Sequence, residues 1–315
     1  MKAILSRRYG PPEVMEWVDV PTPVIGPQEI LVGVRASSVN PVDWKVRRGM
    51  LKLITGAHPP KVLGADFAGE VERVGDKVDS CAVGDRVYGM VHALKGGAYA
   101  EKVVARPSEV APMPNNLSFE QAAVLPLVAL TVHRVLFRYG PQAPDSRLLV
   151  NGCAGGLGHI AVQMGKALGY HVTGVCSTRN LELARQLGAD AVIDYTAQSP
   201  LAGEQQYDVI FDAVANLDFG RAKRTLTPNG IYVSSIPSPR NLLVAPLVNR
   251  FRAKKHRTVR VSPDGAALRQ VTEMVEAGTI RPIIEKTYAL DEIQAAHAHS
   301  ETGRVVGKLA LRVIE

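Results

Sequence analysis

The chain has 315 residues, 46% of them hydrophobic and 21% charged, room for about two domains at roughly 150 residues each. That composition belongs to a chain that buries a core and excludes disorder for the bulk of it. Lys and Arg outnumber Asp and Glu by 37 to 30, and a net charge of +7 is too modest at this length to point to nucleic acid as the main partner.

Short strands separated by turn residues are predicted over the first 115 residues or so. In Glu29–Ala36, Ile30, Val32, Val34 and Ala36 alternate with Leu31, Gly33 and Arg35. The period is two and both faces are partly apolar, as in a covered strand. Phe67–Val74 and Asp85–Val91 read the same way, and glycines and prolines punctuate the stretch, which predicts a small β-barrel-like domain. Ser118-Phe-Glu-Gln121 has the spacing of a capping box, opening a helix predicted from Ala122 toward Tyr139. From Arg147 the pattern alternates. Strands are predicted at Leu148–Val150, His171–Cys176, Val192–Ile193, Val209–Phe211 and Ile231–Ser234, with helices at Leu157–Leu168 and Leu181–Leu187. Such alternation implies βαβ units and a parallel sheet. The tail offers helices at Ala266–Glu276 and Asp291–Ser300 and strands near Ile283–Tyr288 and Lys308–Val313. The one dense basic run, Arg250–Arg260, reads as a solvated loop or strand edge, with an acidic substrate tail or nucleic acid as the alternatives.

Three cysteines, Cys81, Cys153 and Cys176, are too few and too scattered for a disulfide framework and form no CxxC pair. They point to a reducing compartment and away from a structural zinc knuckle. No apolar run approaches about 18 residues and the opening residues lack an apolar signal core, so the expectation is a cytoplasmic protein with no membrane partner.

After the Leu148–Val150 strand comes Asn151-Gly-Cys-Ala-Gly-Gly-Leu-Gly158, leading into a helix. Such a turn lets backbone N–H groups approach a dinucleotide pyrophosphate, and the helix N-terminus adds partial positive charge. The spacing is G-x-x-G-G-x-G rather than G-x-G-x-x-G, so a tight turn that binds nothing is the competing reading. An NAD site usually carries Asp or Glu about 20 residues further on, to hold the ribose 2′-OH. Here the next strand ends Val175-Cys-Ser-Thr-Arg-Asn180. Ser177, Thr178 and Arg179 suit a 2′-phosphate instead, which favours NADPH over NADH. Alternatively Ser177 caps the helix that follows and Arg179 is solvated. Cys153, near a helix N-terminus, is either a thiol of lowered pKa or a small filler in the turn.

Collinear segments along nearly the whole chain resemble the medium-chain dehydrogenase/reductase superfamily, in its zinc-free quinone oxidoreductase (zeta-crystallin-like) and enone reductase branch. They are SSVNPVDWKVRRG (37–49), GADFAGEVERVG (64–75), VGDRVYG (83–89), GGAYAEKVV (96–104), AAVLPLVALT (122–131), GCAGGLG (152–158), LGADAVIDY (187–195) and TGRVVGKLAL (302–311). The resemblance implies an α/β chain with a GroES-like β-rich catalytic domain (1–123 and 269–315) and a doubly wound Rossmann domain (124–268) that binds NADPH. It also implies a homodimer.

By the same resemblance Asn40 and Lys45 are candidate hydrogen-bond donors to the substrate, with Asp43 orienting Lys45. A turn residue before Pro41 and a solvated lysine are the plainer readings of Asn40 and Lys45. Thr131 matches a contact to the nicotinamide carboxamide, with helix packing as its alternative. Gly155, Gly156, Leu157 and Gly158 match the pyrophosphate turn. Ser177, Thr178, Arg179, Asn180 and Tyr195 match the 2′-phosphate and adenosine pocket. Val214, Ser235 and Ile236 follow later strands, and Val305 and Val306 match a segment that returns to the cofactor.

The zinc-dependent relatives carry a Cys ligand in the first of these segments and Gly-His-Glu in the second. Here they read Asn40-Pro-Val-Asp43 and Gly64-Ala-Asp66, and the four-cysteine lobe is missing, so no metal is expected. His297 and His299, two apart on a helix, are expected at the surface. The chemistry implied is hydride transfer from NADPH to a quinone or to the activated C=C of an α,β-unsaturated carbonyl, with the proton supplied by water. Two other readings stay open: an enoyl reductase acting on a carrier- or coenzyme A-linked substrate, its acidic carrier docking near Arg250–Arg260, and a non-enzymatic NADPH-binding protein of the same fold.

Overall fold

The structure, a computed structural model, describes residues 1–59, 61–141, 143–236 and 253–313. The chain divides into two compact units. The first comprises Met1–Leu130, Ser262–Gly278 and Pro282–Glu315; the second comprises Thr131–Val261 and Thr279–Arg281.

In the first unit, β1 (Lys2–Ser6) and β2 (Met15–Asp19) pair as an antiparallel ribbon. β3 (Ile30–Val39) is buried at every position except Arg35, the covered strand its two apolar faces predict. It pairs antiparallel with β4 (Asp66–Val74) and with β6 (Lys102–Ala105). β5 (Arg86–Met90) joins β4 to β7 (Val110–Pro112). The β3–β4 crossing is close: a Cβ on Gly69 would stand 2.0 Å from the Gly33 carbonyl oxygen, so only glycine fits. Ile30, Val32, Val34, Phe67, Val71, Val87 and Val103 fill the core beneath.

Two helices are capped by their own first residues. Pro41–Arg47 starts with Asn40 at the N-cap and Pro41 in the first turn, and the Asp43 carboxylate accepts the Asn40 backbone N–H at 2.8 Å. Phe119–Ala123 has the expected capping box, with Gln121 N–H donating to Ser118 Oγ at 3.3 Å and Ser118 N–H to Gln121 Oε1 at 3.0 Å. The long helix predicted toward Tyr139 is instead three pieces: Phe119–Ala123, Pro126–His133, and a π-helical Arg134–Tyr139. Pro126, which has no N–H to give, starts the second piece.

The second unit is built on β8 (Arg147–Asn151), β9 (His171–Cys176), β10 (Ala191–Asp194), β11 (Tyr207–Asp212), β12 (Leu226–Ser234) and β13 (Lys255–Thr258). They form one parallel sheet in the order β10-β9-β8-β11-β12-β13. Leu149, Val175, Tyr207, Ile210, Leu226 and Tyr232 form one of its cores. The order reverses between β8 and β11, the switch point outside which ligands bind in doubly wound sheets. Part of the basic run, read from sequence as a loop or strand edge, is here the terminal strand β13; Arg250–Arg252 lie outside the described residues.

The chain then returns to the first unit with β14 (Ile284–Ala289) and β15 (Lys308–Arg312), completing the order β14-β15-β3-β4-β5-β7. β15 runs antiparallel to β3 with Leu309 opposite Val39, which brings Lys308 to the end of β3. The Ile293–Glu301 helix corrects one expectation. His297 is fully buried, packed edge-on to Tyr99, because it shares the inward face with Ile293, Ala296 and Ser300. Among the described residues no helix is long and apolar enough to cross a membrane.

Candidate active site

The sequence-predicted residues fall into two groups, one in each unit. In the second unit, β8 ends at Asn151 and the chain turns through Gly152, whose φ of +79° favours glycine. Gly155 is the N-cap of the Gly156–Ala167 helix, so no cap side chain accepts the first-turn N–H groups. That leaves the donors an anion would use. A Cβ on Gly158 would stand 2.1 Å from the Gly152 oxygen and 2.6 Å from Cys153 Cα, so glycine there lets the helix close on the strand. Cys153 is fully buried, and a hydrogen bond with Cys176 together with burial pushes its thiol up. It is the filler rather than a reactive thiol.

The switch point is organised by a residue the sequence reading missed. Asp212, fully buried at the end of β11, accepts from Asn151 Nδ2 (2.7 Å), Ala215 N–H (2.8 Å), Leu217 N–H (2.8 Å) and the Tyr232 hydroxyl (2.6 Å). These four bonds fix the 213–217 loop, in which Ala215 takes φ +62°, and with it the half-exposed Val214. Ser235 Oγ donates to Ala213 O at 2.9 Å, placing Ser235 and the 42%-exposed Ile236 beside the same loop. Thr131 is buried within the Pro126–His133 helix.

At the tip of β9, Ser177 makes no cap bond, and Thr178 and Arg179 are exposed. The sequence reading saw no carboxylate at this tip, but β10 supplies one. Asp194 pairs in register with Cys176, and its carboxylate accepts the Thr178 hydroxyl at 2.6 Å. Hydrogen bonds from Thr178 and Thr196 hold Asp194 below the ordinary carboxylate range. The Thr178 hydroxyl is thus engaged within the protein. Tyr195 follows, 57% exposed.

In the first unit, Asn40, Asp43 and Lys45 lie on or beside the Pro41–Arg47 helix. The Asn40 side chain is buried and turned inward: its amide donates to Asp66 Oδ2 at 2.8 Å, and its oxygen accepts from Lys308 Nζ at 2.5 Å. These bonds engage the amide within the protein at both its nitrogen and its oxygen. Asp66 also accepts from Ser38 Oγ (2.8 Å) and Leu127 N–H (2.9 Å). Burial raises its pKa, and Lys308, 3.9 Å away, opposes that rise. Lys308, 3% exposed, donates as well to Val39 O at 3.0 Å.

Asp43 does not pair with Lys45. Besides the Asn40 N–H it accepts the Tyr99 hydroxyl at 2.9 Å, and Tyr99 in turn lies 3.3 Å from His297 Nε2. Two residues further along the helix is about 200° of rotation, which carries Lys45 away from Asp43. Burial pushes the Asp43 carboxyl up to about 7 and His297 down to about 3. Lys45 is half-buried with its ammonium 5.4 Å from the Trp44 ring centroid, and burial lowers its pKa. Val305 packs on the core of this unit and Val306 N–H donates to Glu285 at 2.8 Å.

A parallel sheet in this order, with a glycine turn at the first strand and a fixed carboxylate at the switch point, defines a dinucleotide-dependent dehydrogenase fold. Residues 26–115 match the alcohol dehydrogenase GroES-like domain family and residues 187–311 the zinc-binding dehydrogenase family. The chain is 33% identical to the 2-methylene-furan-3-one reductase of Solanum lycopersicum, over 100% of this chain and 79% of that protein. It superposes on the quinone oxidoreductase of Coxiella burnetii with a TM-score of 0.89 at 32% identity, covering 100% and 99% of the two chains. It superposes on the Escherichia coli quinone oxidoreductase complexed with NADPH with a TM-score of 0.84 at 27% identity, covering 99% and 100%. The chain belongs to the medium-chain dehydrogenase/reductase superfamily, among its quinone oxidoreductases and enone reductases. It is an oxidoreductase that uses a nicotinamide cofactor.

Proposed function

We propose that the protein transfers hydride from NADPH to a quinone or to the activated C=C of an α,β-unsaturated carbonyl, without zinc. The observation that carries this reading is the Asn40–Asp66–Lys308 cluster. A catalytic zinc needs about three N, S or carboxylate ligands around an open position. The one carboxylate of the cluster already holds Ser38, Asn40 and Leu127, and the cation beside it is a lysine ammonium. Among the described residues no three His, Cys, Asp or Glu side chains converge. The residues present do not fit a zinc centre. With no metal to polarise an alkoxide, the chemistry best suited to the site is reduction of an acceptor that is already electrophilic.

The bound cofactor supplies the hydride. The first-turn N–H groups of the Gly156–Ala167 helix hold its pyrophosphate, and Ser177 and Arg179 hold the 2′-phosphate. Asp212 positions the 213–217 loop at the switch point. Asn40 is a positioning residue that ties the Pro41–Arg47 helix to β4 and β15 through Asp66 and Lys308. Asp43 fixes the start of the same helix, and Lys45 is the side chain on it that donates a hydrogen bond to the developing oxyanion. The free state of the three cysteines supports a reducing compartment such as the cytoplasm.

The test is cofactor oxidation against a naphthoquinone, a benzoquinone, an unsaturated ketone and an enoyl thioester, with NADPH and NADH in parallel. Turnover of a free quinone or enone, faster with NADPH, supports the proposal. Turnover of the thioester alone overturns the acceptor class, and equal rates with NADH overturn the cofactor assignment.

A further inference from the structure

The positive charge of this chain is not spread along it. Residues 219–263 contain ten Lys or Arg and no Asp or Glu, whereas the remainder carries 27 Lys or Arg against all 30 acidic residues. The whole net charge of +7 therefore resides in one acid-free segment, and the rest of the molecule is slightly acidic.

The described part of that segment is gathered in space. Lys254 Nζ donates to the carbonyls of Lys223 (3.0 Å) and Leu226 (2.6 Å), which holds the 221–226 turn against the start of β13. Arg221, Lys223 and Arg224 on the turn, with Lys255 and Arg257 on the terminal strand, are all exposed. The carboxylate just before the segment, Asp218, is exposed and caps the following helix by accepting Arg221 N–H at 2.9 Å.

We propose that this cationic end of the parallel sheet is a docking surface for an anionic lipid membrane, on which the protein lies peripherally. A protein partner presents both signs of charge, and a surface matched to one carries scattered carboxylates of its own. A stretch with ten cations and no acidic residue of its own suits a uniformly anionic array. Nucleic acid is the less favoured array because the described aromatic rings of the segment, Phe219 and Tyr232, face inward. Tyr232 is 2% exposed, and Phe219 stacks within the protein, 4.7 Å from the His256 ring and 5.6 Å from that of Tyr232. Neither ring is left as a platform for stacking bases. A lipid surface is also where lipophilic acceptors of the proposed class dissolve. The docking itself does not depend on that reading, since binding is measured without turnover.

The experiment is flotation of the full-length protein with vesicles of phosphatidylcholine alone and of phosphatidylcholine containing phosphatidylglycerol, at low and high salt. Each cation near an anionic leaflet is worth about a fivefold change in partitioning. Binding is expected to the anionic vesicles only, with release at high salt. The Lys255→Ser/Arg257→Ser variant should bind about 25-fold more weakly, and Lys223→Ser/Arg224→Ser, changed on the turn instead, should weaken binding by a similar factor. Unaltered melting temperatures exclude misfolding as the cause. Equal binding to neutral vesicles, wild-type affinity in both variants, or binding of a single-stranded oligonucleotide with none to vesicles would each overturn the assignment.

Discussion

Replacing Lys308 by methionine removes the cation of the buried cluster while keeping most of its volume. Asp66 is fully buried, and Lys308, 3.9 Å away, is 3% exposed. The variant leaves the Asp66 carboxylate without a counter-charge and deprives Val39 O and Asn40 Oδ1 of their donor. Removing one partner of such a buried pair costs about 3–5 kcal/mol. At roughly 2–4 °C per kcal/mol the melting temperature should fall by about 6–20 °C. The loss should depend on pH. Burial raises the Asp66 pKa and Lys308 opposes that rise, so in the variant the folded state holds its proton to higher pH than the unfolded state does. A carboxylate with a raised folded pKa contributes stability that is lost as pH rises, so the deficit should be smallest near pH 4 and grow toward pH 8. Asp66→Asn combined with Lys308→Met should recover most of the stability, because no buried charge is then unpaired. Thermal melts of the three proteins across that range are the assay. A pH-independent loss below about 1 kcal/mol, or a double variant no better than the single one, would refute the reasoning.

Three further perturbations probe other parts of the account. Asp43, pushed up to about 7 by burial, contributes stability that is present below about pH 4 and lost as pH rises through 7; Asp43→Asn should abolish that component, so the wild-type advantage in melts should shrink from pH 4 to pH 8, and a constant difference would contradict it. Gly158→Ala places a Cβ 2.1 Å from the Gly152 oxygen, and titration should show cofactor affinity falling at least tenfold as the turn is forced open; unchanged affinity would mean the turn does not hold the pyrophosphate. Arg179→Ala should lower kcat/KM for NADPH about 10- to 100-fold, the worth of one charged hydrogen bond at 1.5–3 kcal/mol, while leaving NADH unchanged; equal losses with both cofactors would remove Arg179 from the 2′-phosphate.

Local pattern made much of this fold legible. The period of two in β3, the Ser118–Gln121 capping box and the strand, glycine turn and helix around 147–167 are signals between near neighbours, and the structure carries each of them. What the sequence hid is tertiary. Lys308 meets Asn40 across 268 positions, and a lysine opening a predicted strand shows nothing of the buried carboxylate it will face. Asp194 stands on β10 and comes beside the tip of β9 only when the two strands pair, Asp194 opposite Cys176. His297 could have been placed inside: Ile293, Ala296, His297 and Ser300 follow a helical face, a signal that the two-residue spacing to His299 obscured. Asn40 and Asp43 were found by resemblance, but their side chains turn inward, which no local pattern specifies.

The central claim, hydride transfer from NADPH without a metal, is tested most directly by measuring NADPH oxidation with a naphthoquinone after exhaustive chelation of the purified enzyme. An unchanged rate is expected in the chelated enzyme, with no gain on adding zinc. A rate lost on chelation and restored by zinc would contradict it.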